Sequence, residues 1–379
     1  MIEVLFYLSA LLCGYSYFLY PLILKLVPTR LSVALPVVED GSLPRLSLII
    51  TAHNEAARIQ EKLENTLEID YPRELLEIIV ASDCSTDATD RIVESSSDKG
   101  IRLVRADARK GKEYAQLCAI RATNGEILVF SDVATRIPED ALRLLARHFS
   151  NAGIGALSSE DRFISNDGRV VGEGAYVKYE MWLRRLESDR AGLVGLSGSF
   201  FAARRAVCEA WDVKSPSDFN TALNCAKQGL VAVTSPDVVG IYKDVEDAGL
   251  EYRRKIRTVI RGITAIVRHP EVLNPLHMGM FAFQVWSHKI MRWGVPWFML
   301  AVAVFTLMLQ GQGLIYTLAL VAQIAFYALA LGGWVFARLR ENTLVRLVFF
   351  FVQTNLALAQ ATLLFLFGKR MTVWEPSKR

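Results

Sequence analysis

Residues 46–55 read Leu46-Ser47-Leu48-Ile49-Ile50-Thr51-Ala52-His53-Asn54-Glu55, an apolar run that breaks into a polar cluster. The run is short and Ile-rich, which favours a buried strand over a helix. Asn54 is expected to cap a helix reaching about Ile69. The same change of period recurs downstream. Residues 76–81 read as a second strand, followed by a helix over 87–96 capped by Asp87. Residues 101–105 and 112–122 form a third strand and helix. Gly125 then breaks the pattern, and a fourth strand over 127–130 ends at Asp132. Pro138-Glu139-Asp140 opens another helix, with proline in the first turn and carboxylates near its positive end. Strands alternating with helices across short loops predict an α/β domain with a mostly parallel, Rossmann-like sheet.

In such sheets ligands bind beyond the carboxyl ends of the strands. His53, Asn54, Glu55, the 83–87 stretch and Asp132 collect there. No G-x-G-x-x-G follows the first strand and no G-x-x-x-x-G-K-[ST] occurs, so neither a dinucleotide fingerprint nor a P-loop is present.

The flanks are of a different composition. Of the 379 residues 52% are hydrophobic, and the mean hydropathy of +0.26 is high for a water-soluble protein. The excess lies at the two ends. Residues 4–27 carry almost no charge and suffice to cross a hydrocarbon core of roughly 30 Å. With only Glu3 ahead of this run and no small-residue cleavage site after it, an uncleaved anchor is expected over 1–28. Lys25 and Arg30 place its far end inside. Residues 293–309, 314–337 and 344–367 are three further apolar runs, within a membrane region expected over 293–368. Arg338, Arg340 and Arg346 put the second loop inside. Counting spans puts the C-terminus outside, whereas Lys369, Arg370, Lys378 and Arg379 in the basic tail, 369–379, argue for inside. Arg346, Gln353 and Gln360 recur every seven residues as one polar stripe, so the last helix either spans with that stripe against its neighbours or lies in the interface. Residues 271–292 mix Phe281, Phe283 and Trp286 with His288, Lys289 and Arg292, as an interfacial helix does. The soluble domain is therefore expected over 44–270.

The net charge of +4 is modest, and no basic, aromatic-interleaved stretch points to nucleic acid. Five cysteines, an odd number without a C-x-x-C pair, speak against a zinc cluster and a disulfide framework, and reduced thiols in a cytosolic domain are the simplest account.

Several residues suit transfer chemistry on a phosphorylated donor. Asp83 and Glu55 can accept hydrogen bonds from a nucleoside base or ribose. Lys112 begins a helix, offering a cation and backbone N–H groups to phosphate. Asp132, at a strand end, offers oxygen to Mg2+ or Mn2+. Asp218, in Pro216-Ser217-Asp218-Phe219, is the candidate general base; it would also serve as a plain N-cap. Arg254 and Arg257 lie a turn apart on a basic helix and suit either a diphosphate or anionic lipid headgroups. His53 reads as a packed or capping side chain, and Trp182 and Trp211 as core or interface anchors.

Taken in order, these motifs resemble the family-two inverting glycosyltransferases of the GT-A fold, above all the membrane-bound ones that build exopolysaccharides and lipid-linked glycans. The resemblance runs from about Leu46 to Gly262. Thr51-Ala52-His53-Asn54-Glu55 resembles the opening P-x-Y-N-E, and Ser82 to Asp87 resembles D-D-G-S-T-D, whose second acid maps to Asp83. Gly111-Lys112 resembles the G-K before the third helix. Ser131 to Ala134 resembles the metal-binding D-x-D, Gly198-Ser199 the acceptor-loop G-S, and Ser217-Asp218 the acidic pair ending in the base. Arg254 to Thr258 stands where Q-x-x-R-W is expected. The resemblance implies a nucleotide-sugar-binding set of Ala52, Glu55, Asp83, Lys112 and Asp132, an acceptor and diphosphate set of Gly198, Ser199, Arg254 and Arg257, a divalent metal on Asp132 and catalysis by Asp218. It further implies a nucleotide-sugar donor, uridine-linked, a polyprenyl-linked or saccharide acceptor, and an inner-membrane location with the catalytic domain cytoplasmic.

Three positions depart from the pattern. Ala134 removes the second donor of D-x-D, Ser217 removes the acid before the base, and Thr258 replaces the tryptophan of long-chain synthases. The last favours single addition over a processive polysaccharide synthase. The first two leave open a degenerate, non-catalytic scaffold of an assembly complex.

Overall fold

The computed structural model describes residues 1–29, 43–164, 175–243 and 248–371. The chain forms two compact units. One gathers the terminal apolar helices with residues 248–263; the other contains the sheet and Thr264–Gln284.

The sheet unit is built on β1 (Leu46–Ala52), β2 (Leu76–Ser82), β3 (Ile101–Arg105), β4 (Ile127–Asp132), β5 (Ile154–Ile164), β6 (Phe200–Arg204) and β7 (Val231–Lys243), in spatial order β3-β2-β1-β4-β6-β5-β7. β1 runs parallel to β2 and β4, β2 to β3, and β5 to β7; β6 is antiparallel to both its neighbours. The sheet is mixed and mostly parallel, with the GT-A-like arrangement expected.

Alternation along the central strands divides the core into two layers. Leu48 and Ile50 of β1, Ile78 and Val80 of β2, and Ile127 and Val129 of β4 enter one apolar cluster. Their neighbours Ile49, Ile79, Leu128 and Phe130 enter the other. Side chains of successive strand residues point to opposite faces, so a strand buried on both sides must be apolar at every position. That is why β1 reads as a continuous run. The helices α2 (Ile59–Leu67) and α5 (Ala141–His148) cover the first face through Ile59, Leu63, Leu142 and Leu145. The helices α4 (Lys112–Ala122) and α8 (Ser217–Lys227) cover the second through Ala115, Ala119, Ala222 and Cys225. A short α3 (Thr89–Glu94), α6 (Ala175–Ser188) and α7 (Arg205–Cys208) complete the unit.

Two helix starts differ from expectation. α2 begins at Ile59, because Asn54 adopts a left-handed backbone (φ 53°) and turns its side chain to the neighbouring loop. Residues 138–140 precede α5 instead of opening it. All five cysteines are unpaired thiols.

Residues of the helical unit come from α1 (Ile2–Leu26), α9 (Ala248–Arg268), α10 (Pro275–Met308), α11 (Leu314–Val335) and α12 (Thr343–Leu366). All but α9 are long and apolar enough to cross a membrane. The second candidate span starts earlier than the sequence suggested: it runs from Pro275 to Met308, so the expected interfacial segment and the following span are continuous, with a non-helical kink at Gly279 (φ 51°) and a π-helical turn over Trp286–Ile290. Within this unit polar groups pair across helices, as apolar surroundings require. Ser16 Oγ donates to the Ser287 carbonyl at 2.8 Å, and Gln323 Nε2 donates to Thr306 Oγ1 at 2.8 Å. Tyr252 OH donates to Gln360 Oε1 at 2.8 Å, which ties one residue of the expected polar stripe of α12 to α9. The expected basic tail lies, beyond Met371, outside the described residues.

Candidate active site

The register of the parallel strands brings their carboxyl ends level: Ala52 pairs with Ser82, Ser82 with Arg105, and Thr51 with Asp132. The loops after β1 and β2 are tied to one another. Thr86 N–H donates to Asn54 Oδ1 at 2.7 Å, Glu55 N–H to Thr89 Oγ1 at 2.8 Å and Ala56 N–H to Asp87 Oδ2 at 3.0 Å. His53 Nδ1 lies 2.7 Å from the Asp83 carbonyl, the packed role expected of it. Asp87 also accepts from Thr89 N–H at 2.9 Å, where α3 begins.

Asp83 is fully buried. Its backbone N–H donates to the Ala52 carbonyl at 2.9 Å. Its carboxylate accepts from Lys110 N–H and, through both oxygens, from Gly111 N–H, each at 3.1 Å. Gly111 has φ 99°, a backbone that side-chain-bearing residues rarely adopt. Asp83 thus acts first on the protein itself, holding the loop that launches α4.

Lys112 follows at once. Its ammonium is buried, 2.5 Å from Asp132 Oδ1 and 2.7 Å from the Gly198 carbonyl. Asp132 N–H donates to the Ser199 carbonyl at 2.9 Å, which joins β4 to the same loop. Gly198 lies against Asp218: a methyl group in place of its hydrogen would stand 3.5 Å from Asp218 Oδ2. Asp218 is the second residue of α8, where the positive helix end favours a carboxylate. Residues from five segments of the chain therefore meet in sequence, Asp83 to Gly111, Lys112 to Asp132 and Gly198, Gly198 to Asp218.

α8 itself is fixed from behind. Asn224 Nδ2 donates to the Val207 and Ala210 carbonyls at 3.2 and 3.0 Å. Trp211 stacks on Phe130, 5.0 Å between ring centres, the core role expected of it. Trp182, on α6, is partly exposed and lies 5.8 Å from the Tyr179 ring.

Glu55 is buried and ion-paired to Arg58 at 2.5 Å. Burial raises its pKa, Arg58 pulls it back, and Asp132 and Asp87 push it up again. Arg254 and Arg257 sit on the part of α9 that belongs to the helical unit; Arg254 is exposed and Arg257 half-buried.

Three residues of the site were not singled out in sequence. Lys62 of α2 is buried and donates to Ser131 Oγ at 2.8 Å and the Thr135 carbonyl at 2.7 Å, directly beneath the Asp132 turn. Burial lowers its pKa to about 7 although Asp132 opposes the shift. Helical periodicity was the available signal, since it places Lys62 on the face of Ile59, Leu63 and Thr66. Asp161 accepts from Ser197 Oγ at 2.7 Å, one residue before Gly198. Tyr242 is buried, and burial, with Asp161 next in effect, keeps its phenol protonated.

A divalent cation fits this donor set in one way. Among the described residues no three His, Cys, Asp or Glu side chains cluster to hold a metal alone. Ala134 offers no side-chain donor, which leaves the hard oxygens of Asp132, with the remaining ligands from substrate phosphates and water.

Comparison with known proteins finds glycosyltransferases. Residues 47–211 match the model of glycosyl transferase family 2. A beta-monoglucosyldiacylglycerol synthase of Nostoc sp. is 28% identical over 190 residues, 47% of this chain and 40% of its own length. A poly-beta-1,6-N-acetyl-D-glucosamine synthase of Staphylococcus epidermidis is 25% identical over 182 residues, 46% of this chain and 43% of its own. The chain thus covers less than half of these relatives. Among solved structures, a mannosyltransferase from Pyrobaculum calidifontis in complex with GDP-Man and Mn2+ superposes with a TM-score of 0.73 at 23% identity, covering 98% of this chain and 100% of that one.

Proposed function

We propose that this chain, which carries a glycosyl transferase family 2 domain, transfers a single sugar from a nucleoside-diphosphate sugar to a lipid-linked saccharide at a membrane surface, with inversion at the anomeric carbon. One observation carries the reading: a buried lysine bridges Asp132 to Gly198, and Gly198 separates it from Asp218 with no side chain of its own. A cation for a leaving diphosphate and a base for an incoming hydroxyl thus share one loop.

In the step itself, the acceptor oxygen forms a bond to the anomeric carbon as its proton passes to Asp218. The carbon–oxygen bond to the donor β-phosphate breaks on the opposite face, and its electron pair leaves with the nucleoside diphosphate. Lys112 stabilises the charge that develops there. A divalent cation bound through Asp132 would share that neutralisation. Uridine remains the nucleoside we favour. Asp83 contributes by holding the 110–111 backbone in place, and Glu55 by lining the adjoining loop. Arg254 and Arg257 are proposed to attract the acceptor's diphosphate, and Ser199 to border the acceptor. The sheet unit is assigned to the cytoplasmic side of the inner membrane by the basic residues that flank the apolar runs.

The test is radiolabelled sugar transfer from a panel of nucleotide-sugars to membrane lipid extracts. One added sugar per acceptor supports the reading, and a ladder of products supports the processive one, which similarity to a polysaccharide synthase keeps in view. No nucleotide binding by calorimetry, with or without Mn2+, would leave only a scaffold.

A further inference from the structure

Three consecutive residues at the start of α4 reach three separate parts of the site. Gly111 donates to Asp83, and Lys112 donates to Asp132 and Gly198. Glu113 accepts from Ser217 N–H through Oε1 at 3.4 Å. The proposed reaction uses the first two and leaves Glu113 without a part.

Glu113 is 2% exposed, so its carboxylate is held by protein and not by bulk water. The turn that carries it is fixed, because Trp211 Nε1 donates to the Glu113 carbonyl at 2.9 Å. Its target is the first residue of α8. A helix start presents N–H groups with no partner inside the helix and the positive end of the helix dipole. Pro216, at the cap position, has no side chain able to accept from those groups. A carboxylate arriving from another element fills that role.

We infer that Glu113 is a positioning residue: it sets the first turn of α8, and thereby the Asp218 carboxylate, against Lys112 and Asp132. The inference rests on Asp218 being the base. Asp218 adjoins Ser217 in the chain and lies against Gly198, so a small rotation of that turn moves the carboxylate along the acceptor loop. Lys112 and Glu113 share one helical turn, so the cation and the base are placed by the same piece of backbone.

The experiment uses the full chain in detergent and compares Glu113→Leu, Glu113→Gln and Glu113→Asp. For each, transfer kcat, donor KM and the stoichiometry of nucleotide binding are measured. Glu113→Leu is expected to lower kcat about tenfold or more, since sub-ångström placement of a base governs its efficiency. Donor KM should stay within about twofold and binding should remain stoichiometric. Glu113→Gln keeps an acceptor oxygen at the same reach and should recover most of kcat. Glu113→Asp withdraws the oxygen by one methylene and should not. Equal kcat in Leu and wild-type protein would overturn the inference, as would parallel losses of kcat and binding stoichiometry. If Glu113→Leu does not fold, the Gln and Asp variants decide: Asp as active as Gln overturns it. A wild-type protein without transfer activity would refute the assignment of the base instead.

Discussion

Lys112 Nζ lies 2.5 Å from Asp132 Oδ1 with both groups at least three-quarters buried. In the proposed reaction the pair is local charge balance and function together. Without a bound donor the ammonium compensates the carboxylate; a donor diphosphate would compete for the same ammonium.

Lys112→Met should therefore weaken nucleotide binding. A charge-assisted hydrogen bond contributes about 1.5–3 kcal/mol. The dissociation constant for nucleoside diphosphate should rise about tenfold or more. Calorimetry on detergent-purified protein checks this; unchanged affinity would remove Lys112 from the phosphate site.

Asp218→Asn keeps the shape of the side chain and its place on α8 but removes the proton acceptor. The rate of transfer should fall by about 10²–10⁴, while nucleotide binding and melting temperature stay near those of the wild type. Full transfer activity in this variant would exclude the role of base.

Gly125→Ala should destabilise the sheet unit. A methyl group at Gly125 would stand 2.5 Å from Ser47 Oγ, 2.6 Å from Ser47 N and 2.8 Å from the Leu46 carbonyl carbon. Two of these are backbone atoms of or beside β1 and cannot turn aside. Overpacking of this kind costs about 1–3 kcal/mol, read as a lowered melting temperature with the site chemistry intact where the protein remains folded.

Acid should expose the contribution of Asp212. Burial alone would raise its carboxyl. The Arg268 guanidinium, at 2.6 and 3.0 Å, outweighs it with help from Lys214 N–H and Ser215, and holds the pKa at about 2. An unfolded aspartate titrates near 3.9. The folded pKa is the lower one, so this stabilisation is present above about pH 4 and is lost as pH falls towards about 2. The difference in stability between wild type and Asp212→Asn should shrink by about 2 kcal/mol across that window. Denaturation at a series of pH values measures it; a constant difference would contradict the assignment.

The sheet's centre was legible because β1, β2 and β4 are buried on both faces and had to be apolar throughout. β5 to β7 were not: Ser158, Ser159, Glu160 and Asp161 interrupt β5, and Pro236 interrupts β7. Such strands owe their place to neighbours contributed from distant parts of the chain, which no local period records.

Candidate site residues divide in the same way. Glu55, Asp83, Lys112, Asp132 and Asp218 stand at strand ends or helix starts, positions that local pattern can reveal. Lys62, Glu113 and Asp161 stand where a structural side chain would do equally well. Only the packing of α2 beneath the Asp132 turn, of α4 beside α8, and of β5 near the Gly198 loop separates them from their bland alternatives.

What local order along the chain determined, then, was the alternation of strands and helices, the apolar termini and the polar residues at the strand ends, since each depends on period and neighbours in sequence. The partners of those residues were decided by tertiary structure alone: that Lys112 meets Asp132, that Asp83 is spent on Gly111, and that Glu113 reaches Ser217. Such pairings join residues up to 104 positions apart. They exist only once a buried sheet brings loops from four strands to one edge.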